Sequence, residues 1–318
     1  MYKNVILILT AVVCLFMTSC KNTVSESIVG PTDGDGDETT KLVTLNLNEE
    51  QVSMSQDQKP MTRGVTDGNK YYAINVYKVE KNSYSKYAFG LFESADNMAI
   101  LLKNGDKYKF ECKEIRTDED SIYHEGDMYY YPFMRNGAPG KLTNSFVYST
   151  TENTDDMASG TVSRNKTDTT YFRRMYTYYG QLENFDPATS NSVTLKLSRL
   201  VFGIHFKITP PNDGSVVISF LRDKKITLKA GDAVYDHESI YSFHLLDKAM
   251  ADGYTGKVAP AFYFTYSNGT KRTETISFNI KRNTMTTVNV DLTKTQYDGI
   301  SIDEENGDLW KDSVNFEL

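Results

Sequence analysis

Cysteine is nearly missing from this chain: three among 318 residues, at positions 14, 20 and 112. Cys14 lies in an N-terminal apolar run that is itself removed and Cys20 is claimed by a modification, both argued below, so only Cys112 remains and no intramolecular disulfide can form. Stability must come from packing and hydrogen bonding. Cys112, between Glu111 and Lys113, reads as a small half-buried apolar residue of a strand. The single tryptophan, Trp310, weighs against a carbohydrate platform built on Trp, although Tyr could substitute. The four histidines, His124, His205, His237 and His244, show neither a ligand pair at helical spacing nor a cysteine partner, so no metal is expected. A Gly-x-Ser-x-Gly elbow and a phosphate-cradling glycine loop are both absent, and no carboxylate pair stands out from a solvated surface. Neither an enzyme nor a cofactor is expected. A net charge of -7 with no basic stripe excludes nucleic acid.

The N-terminus supplies what the rest withholds. Val5 to Met17 form an apolar run of about a dozen residues, signal-peptide length and too short to span a bilayer. It closes on Leu15-Phe16-Met17-Thr18-Ser19-Cys20, which resembles the bacterial lipobox. Residues 1–19 are then a lipoprotein signal peptide, and the Cys20 thiol takes a diacylglycerol. Beyond residue 20 no apolar stretch is long enough to cross a membrane, so the lipid holds the polypeptide. Residues 20–40, with Asp33-Gly34-Asp35-Gly36-Asp37-Glu38, read as an acidic flexible tether. The alternating Asp lacks the distal Glu and flanking helices of a calcium loop.

Among the remaining residues, 22 Tyr and 16 Phe with few Pro favour strands over helices, and the chain reads as all-β. Alternation places strands at 41–48, 71–79, 87–91, 99–102 and 107–115, with weaker signals to 185. A junction over Gly180–Asn191 divides an N-terminal sandwich, 41–185, from a C-terminal one, 186–318. Ser192–Leu197 and Leu200–Ile208 read as two strands of that second sandwich, and Thr273–Ile280 as one strand. Asp247–Asp252 reads as one helical turn.

Two terminal features rise above this background. In the first strand Val43, Leu45 and Leu47 point one way, and a long polar segment follows that contains Thr62-Arg63-Gly64. A trypsin-like cut between Arg63 and Gly64 would release that strand and open an apolar groove. At the other end Val314, Phe316 and Leu318 share one face of a segment suited to filling a neighbour's groove by strand addition. The alternative is that both terminal strands pair within their own sheets. Tyr129–Tyr131 and Tyr176, Tyr178 and Tyr179 could stack on sugars or a partner, with strand packing the simpler account.

The lipobox, the tether, the first strand with its Thr-Arg-Gly site, and the segments Val193–Val201 and Lys281–Val290 together resemble the Bacteroidales-type fimbrillin family, fimbrial subunits of type V pili. The resemblance implies two tandem transthyretin-like β-sandwiches in a palmitate-type lipoprotein sent to the outer membrane and displayed on the surface. It implies Cys20 as the lipid site and Arg63–Gly64 as the maturation site, with Lys59 and Lys70 as alternatives. Leu42–Asn48 becomes the displaced strand and Val314–Leu318 the candidate donor. The implied partners are other fimbrial subunits, a host or bacterial surface ligand and, through the lipid, the outer membrane. Stalk, tip and anchor roles are all open, as is a second reading, a surface glycan-binding lipoprotein of a polysaccharide-uptake system.

Overall fold

Short alternating runs punctuated by Asn-Gly and Pro-rich turns give short strands, and in the computed structural model the regular structure of the described residues is almost entirely β. The structure describes residues 39–49, 69–117, 122–130, 132–133, 139–149, 175–221, 225–243 and 246–294, and the backbone of 312–317. The first strands are β1 (Thr40–Glu49), β2 (Asn69–Val79), β3 (Tyr84–Phe92), β4 (Ala99–Lys103) and β5 (Tyr108–Thr117). The short β6 (His124–Glu125), β7 (Met128–Tyr129), β8 (Gly140–Lys141) and β9 (Val147–Tyr148) follow. Then come β10 (Met175–Phe185), β11 (Ser192–Arg199), β12 (Val201–Thr209), β13 (Ser215–Ser219), β14 (Ile226–Lys229) and β15 (Tyr235–Ser242). One helical turn, α1 (Leu246–Ala249), precedes β16 (Thr255–Val258), β17 (Ala261–Thr265), β18 (Lys271–Thr275), β19 (Phe278–Lys281), β20 (Met285–Asp291) and β21 (Asp312–Glu317).

The largest sheet runs β4-β1-β11-β10-β5-β2-β3-β9. Its two halves face each other: Val43, Leu45, Ile100, Leu102, Val193, Leu195 and Leu197 from β1, β4 and β11 share one core with Ile74, Val76, Tyr108, Phe110 and Cys112 from β2 and β5. A continuous sheet that contributes both walls of one core must fold over on itself. The fold-over lies between β10 and β11, which pair only through Tyr178–Arg199 and Tyr179–Ser198 before β11 moves across to β1. Gly180 permits it, since a Cβ there would sit 2.2 Å from the Lys196 carbonyl oxygen. The outer face of β2, β3 and β5 is covered in turn: Ala73, Phe89, Leu91 and Ile115 pack under Ile122, Tyr129 and Phe133 from the excursion after β5.

A second core joins β12 and β20 (Ile204, Phe206, Ile208, Val288, Val290) to β13 and β17 (Val216, Ile218, Phe262, Phe264), with β19 adding Phe278 and Ile280. The two cores share walls. In β10, Tyr176 and Tyr178 face the first and Tyr179 the second; Val201 and Ile240 belong to the first while Phe202 and Tyr241 belong to the second. Polar bonds cross the same boundary. Arg199 Nε donates to Asn283 Oδ1 at 2.8 Å, and Thr177 Oγ1 donates to Ser242 Oγ at 2.7 Å.

Several local expectations change. β11 belongs to the first sheet, not to one sandwich with β12, because Val193, Leu195 and Leu197 of β11 line the first core whereas Phe202, Ile204, Phe206 and Ile208 of β12 line the second. β10 continues through Gly180 to Phe185, where sequence placed a junction. Thr273–Ile280 is two strands, β18 beside β17 and β19 beside β16, broken at Ile276–Ser277. Cys112 is a free, fully buried thiol rather than a half-buried one, and burial pushes its pKa up.

Candidate functional site: the β1 slot

Strand β1 has two neighbours, and each holds one end of it. Residues Thr40–Thr44 pair antiparallel with β4, and Thr44–Glu49 pair parallel with β11. Adjacent amides divide between them: Thr44 N–H donates to the Asn191 carbonyl at 3.0 Å and Leu45 N–H to the Met98 carbonyl at 2.9 Å. On the outer face Asn46 Nδ2 donates to Ser192 Oγ at 2.8 Å, and Lys41 Nζ reaches the Pro187 carbonyl at 2.7 Å. The inward residues follow the expected alternation. Val43 and Leu45 are buried, and Leu47 is partly buried against the same core. Burying two or three such side chains contributes about 1.5–3 kcal/mol each, an upper estimate.

The fourth inward residue is a carboxylate. Glu49 keeps the odd-numbered phase of Val43, Leu45 and Leu47, so it projects toward the opposite sheet. There the inward column of β5 changes character from Tyr108, Phe110 and Cys112 to Glu114 and Arg116. Arg116 Nη2 forms an ion pair with Glu49 Oε2, its Nε bonds Glu114 Oε1 at 2.5 Å, and Lys70 Nζ lies 3.5 Å from Glu49 Oε1. The guanidinium rests over the Tyr178 ring at 4.4 Å. Two cations and two carboxylates thus close one end of the core.

Their environments are unequal. Burial alone would raise the Glu49 carboxyl, but Arg116 and Lys70 outweigh it and hold its pKa below the usual value. Glu114 is completely buried, its Oε2 has no hydrogen-bond partner among the described residues, and desolvation raises its pKa despite Arg116. Arg116 is raised further by the two carboxylates, against desolvation, so it stays charged. Glu49, Glu114 and Arg116 were not anticipated as site residues, and Lys70, expected only as an alternative cleavage site, lies within β2 and pairs with Glu49. Parity was the available signal, since a charge in phase with an apolar alternation requires a partner across the core.

At the other terminus β21 adds to β20 as a parallel edge strand, Thr286 opposite Asp312 through Asp291 opposite Glu317, so Val314 and Phe316 lie in a strand. Among the described strands it pairs with β20 alone. Cys20, Arg63, Gly64 and Leu318 lie outside the described residues, as do the signal peptide, nearly all of the tether and His244.

The tyrosines divide. Tyr176, Tyr178 and Tyr179 are buried in the cores. Tyr123 and Tyr130 form a tilted pair, centroids 4.9 Å apart, and donate to the two oxygens of Glu125 at 2.5 and 3.2 Å. His124 stacks on Tyr129, and His205 Nε2 lies 2.6 Å from Asp236 Oδ1, a surface pairing. Among the described residues no cluster of histidine, cysteine or carboxylate side chains could hold a metal, and no helix is long and apolar enough to cross a membrane.

No family model matches the chain, and no curated protein does. Among solved structures, the fimbrial anchor protein Mfa2 from Porphyromonas gingivalis aligns at 9% identity and TM-score 0.29, covering 74% of this chain and 82% of that one. A candidate polysaccharide-binding protein from Bacteroides thetaiotaomicron aligns at 12% and 0.30, covering 77% and 80%. A candidate adhesin from Bacteroides ovatus aligns at 11% and 0.32, covering 76% and 75%.

Proposed function

We propose that the chain is a non-catalytic surface protein, a fimbrial subunit or fimbrium-associated adhesin, carried to the outer membrane by lipid on Cys20 and joined to other subunits by strand replacement. The observation that carries the reading is the position of β1. It is the first described strand, inserted between two strands remote in sequence, and joined to the rest of the described fold only through the segment that contains Arg63. One cut between Arg63 and Gly64 therefore leaves β1 held without a covalent bond. Its departure opens the edges of β4 and β11 together with the pockets of Val43 and Leu45, a template for an incoming strand.

Treatment of the purified precursor with a trypsin-like protease tests this. SDS-resistant ladders of a product beginning at Gly64 are expected; persistent monomers after the cut, or no cut at Arg63, would overturn the polymerising version. The tilted Tyr123–Tyr130 pair around Glu125 supports a second reading, a surface glycan-binding lipoprotein, because ring faces beside a carboxylate suit sugar C–H and O–H groups. Retardation in a glycan affinity gel that is lost in Tyr130→Ala would favour it.

A further inference from the structure

The two end strands of the large sheet meet, and they meet through hydroxyls. β4 opens the order β4-β1-β11-β10-β5-β2-β3-β9 and β9 closes it, so each has one backbone neighbour among the described strands. The even-numbered residues of β4 and its flanks turn their backbone groups toward β1, as the bonds from Leu45 N–H to the Met98 carbonyl and from Asn104 N–H to the Thr39 carbonyl show. Leu101 and Lys103 therefore present theirs to the outer edge, where a further strand would add.

That edge is taken. Tyr148 of β9 stands in for a strand: its Oη accepts from Leu101 N–H at 3.0 Å and donates to the Leu101 carbonyl at 3.2 Å, where Tyr87 Oη of β3 also donates at 3.0 Å. Tyr108 Oη of β5 treats Lys103 in the same way, accepting at 3.0 Å and donating at 3.3 Å. The rings brace one another edge to face, with the Tyr87 centroid 4.9 Å from that of Tyr108 and 5.5 Å from that of Tyr148. Tyr108 is fully buried and the other two are partly so. Burial pushes the Tyr87 and Tyr148 hydroxyls up, so they keep the protons they donate.

Resting on the strand-replacement reading above, we propose that these three hydroxyls lock β4 into a one-sided strand, pinned to the opposite wall and closed along its outer edge. The slot then keeps its shape when β1 leaves and admits a strand to β4 on the inner edge alone. β1 is the one backbone neighbour of β4 among the described strands, so after its departure the tyrosines are what bonds the β4 backbone. An added strand on the outer edge would have to break their bonds to Leu101 and Lys103 first.

The test uses the full chain carrying one site-specific protease sequence in place of residues 57–63, cut, stripped of β1 in mild denaturant and returned to buffer, with amide exchange read residue by residue. Leu102, which faces β1, is expected to lose protection, while Leu101 and Lys103 keep theirs and the stripped chain takes up one labelled peptide of Thr40–Glu49. In Tyr148→Phe, which keeps the ring and removes the hydroxyl, Leu101 should exchange about tenfold faster, as loss of one hydrogen bond predicts. That variant should also take up more than one peptide per chain. Tyr263→Phe, at an exposed position on β17, should change neither readout. Loss of protection at Leu101 together with Leu102 in the stripped chain, or a Tyr148→Phe chain indistinguishable from its parent, would overturn the lock. A stripped chain that keeps Leu101 protected and binds no peptide would overturn strand replacement and leave the closed edge standing. The comparison of Leu101 with Leu102 needs no variant, and the uncut chain gives the Tyr148→Phe comparison without refolding, so neither depends on recovery of an altered fold.

Discussion

Gly180 shows how one side chain less shapes a whole sheet. β10 and β11 meet only at two residue pairs, and immediately beyond them the backbone of β11 passes so close to Gly180 that a Cβ would sit 2.2 Å from the Lys196 oxygen and 2.9 Å from Leu197 Cδ2. One of these obstacles is backbone and cannot rotate away. Gly180→Ala is expected to destabilise the protein by about 1–3 kcal/mol, the cost of overpacking, read as a lower urea midpoint at an unchanged slope. Gly105 is the control. It sits at positive φ in an open turn with nothing near its Cβ position, so Gly105→Ala meets only the backbone cost. Asn104-Gly105-Asp106 is legible as turn chemistry in the sequence, whereas nothing there announces the close approach at Gly180.

At the scale of the element, β1 is held by backbone on both sides and by a carboxylate at one end, and only the last depends on pH. Glu49 has its pKa lowered on folding, so its contribution is present above the ordinary carboxylate range and is lost as pH falls through the depressed value. Glu114 has the opposite sign. Its pKa is raised, so protonating it relieves an unfavourable buried charge, and acid favours the fold through this residue. Acidification should therefore loosen β1 selectively while sparing β5. Amide-exchange protection of Leu45 and Leu47 is expected to drop relative to Phe110 and Cys112 between about pH 6 and pH 3, across the carboxylate range. In Glu49→Gln the difference should already be present at pH 6 and change little with acid; an unchanged wild-type pattern in that variant would sink the assignment. The strands themselves were legible because alternation is local: β1, β2, β5, β12 and β20 fall where period-two runs stand in the sequence. Partnership was not legible. Nothing local distinguishes β11, which joins the first sheet, from β12, which joins the second, since both alternate and only Leu200 stands between them. The break that separates β18 from β19 is only Ile276 and Ser277.

For the whole molecule, the shared walls decide how the two cores depend on each other. β10 supplies Tyr176 and Tyr178 to one and Tyr179 to the other, β12 divides Val201 from Phe202, and β15 divides Ile240 from Tyr241. A boundary at 185/186 would strip the first core of Val193, Leu195, Leu197, Val201 and Ile240, and strip the second of Tyr179. It would also leave the buried Arg199–Asn283 pair within the second piece while removing the sheet that positions Arg199. Pieces 41–185 and 186–318 made separately are therefore expected to lack cooperative unfolding transitions and dispersed amide spectra. The full chain should unfold in a single calorimetric transition, with van't Hoff and calorimetric enthalpies in agreement. Two resolved transitions in the full chain, each reproduced by one piece, would show that the cores are independent. Interlocking also bears on strand replacement. Loss of β1 removes Val43 and Leu45 from the first core, and because the cores share β10, β12 and β15 the cut protein emptied of β1 should still melt in one transition, at a lower temperature than the intact chain. The melting temperature of the cut chain emptied of β1 should accordingly rise with the concentration of an added peptide of Thr40–Glu49, and rise less with its Glu49→Gln form.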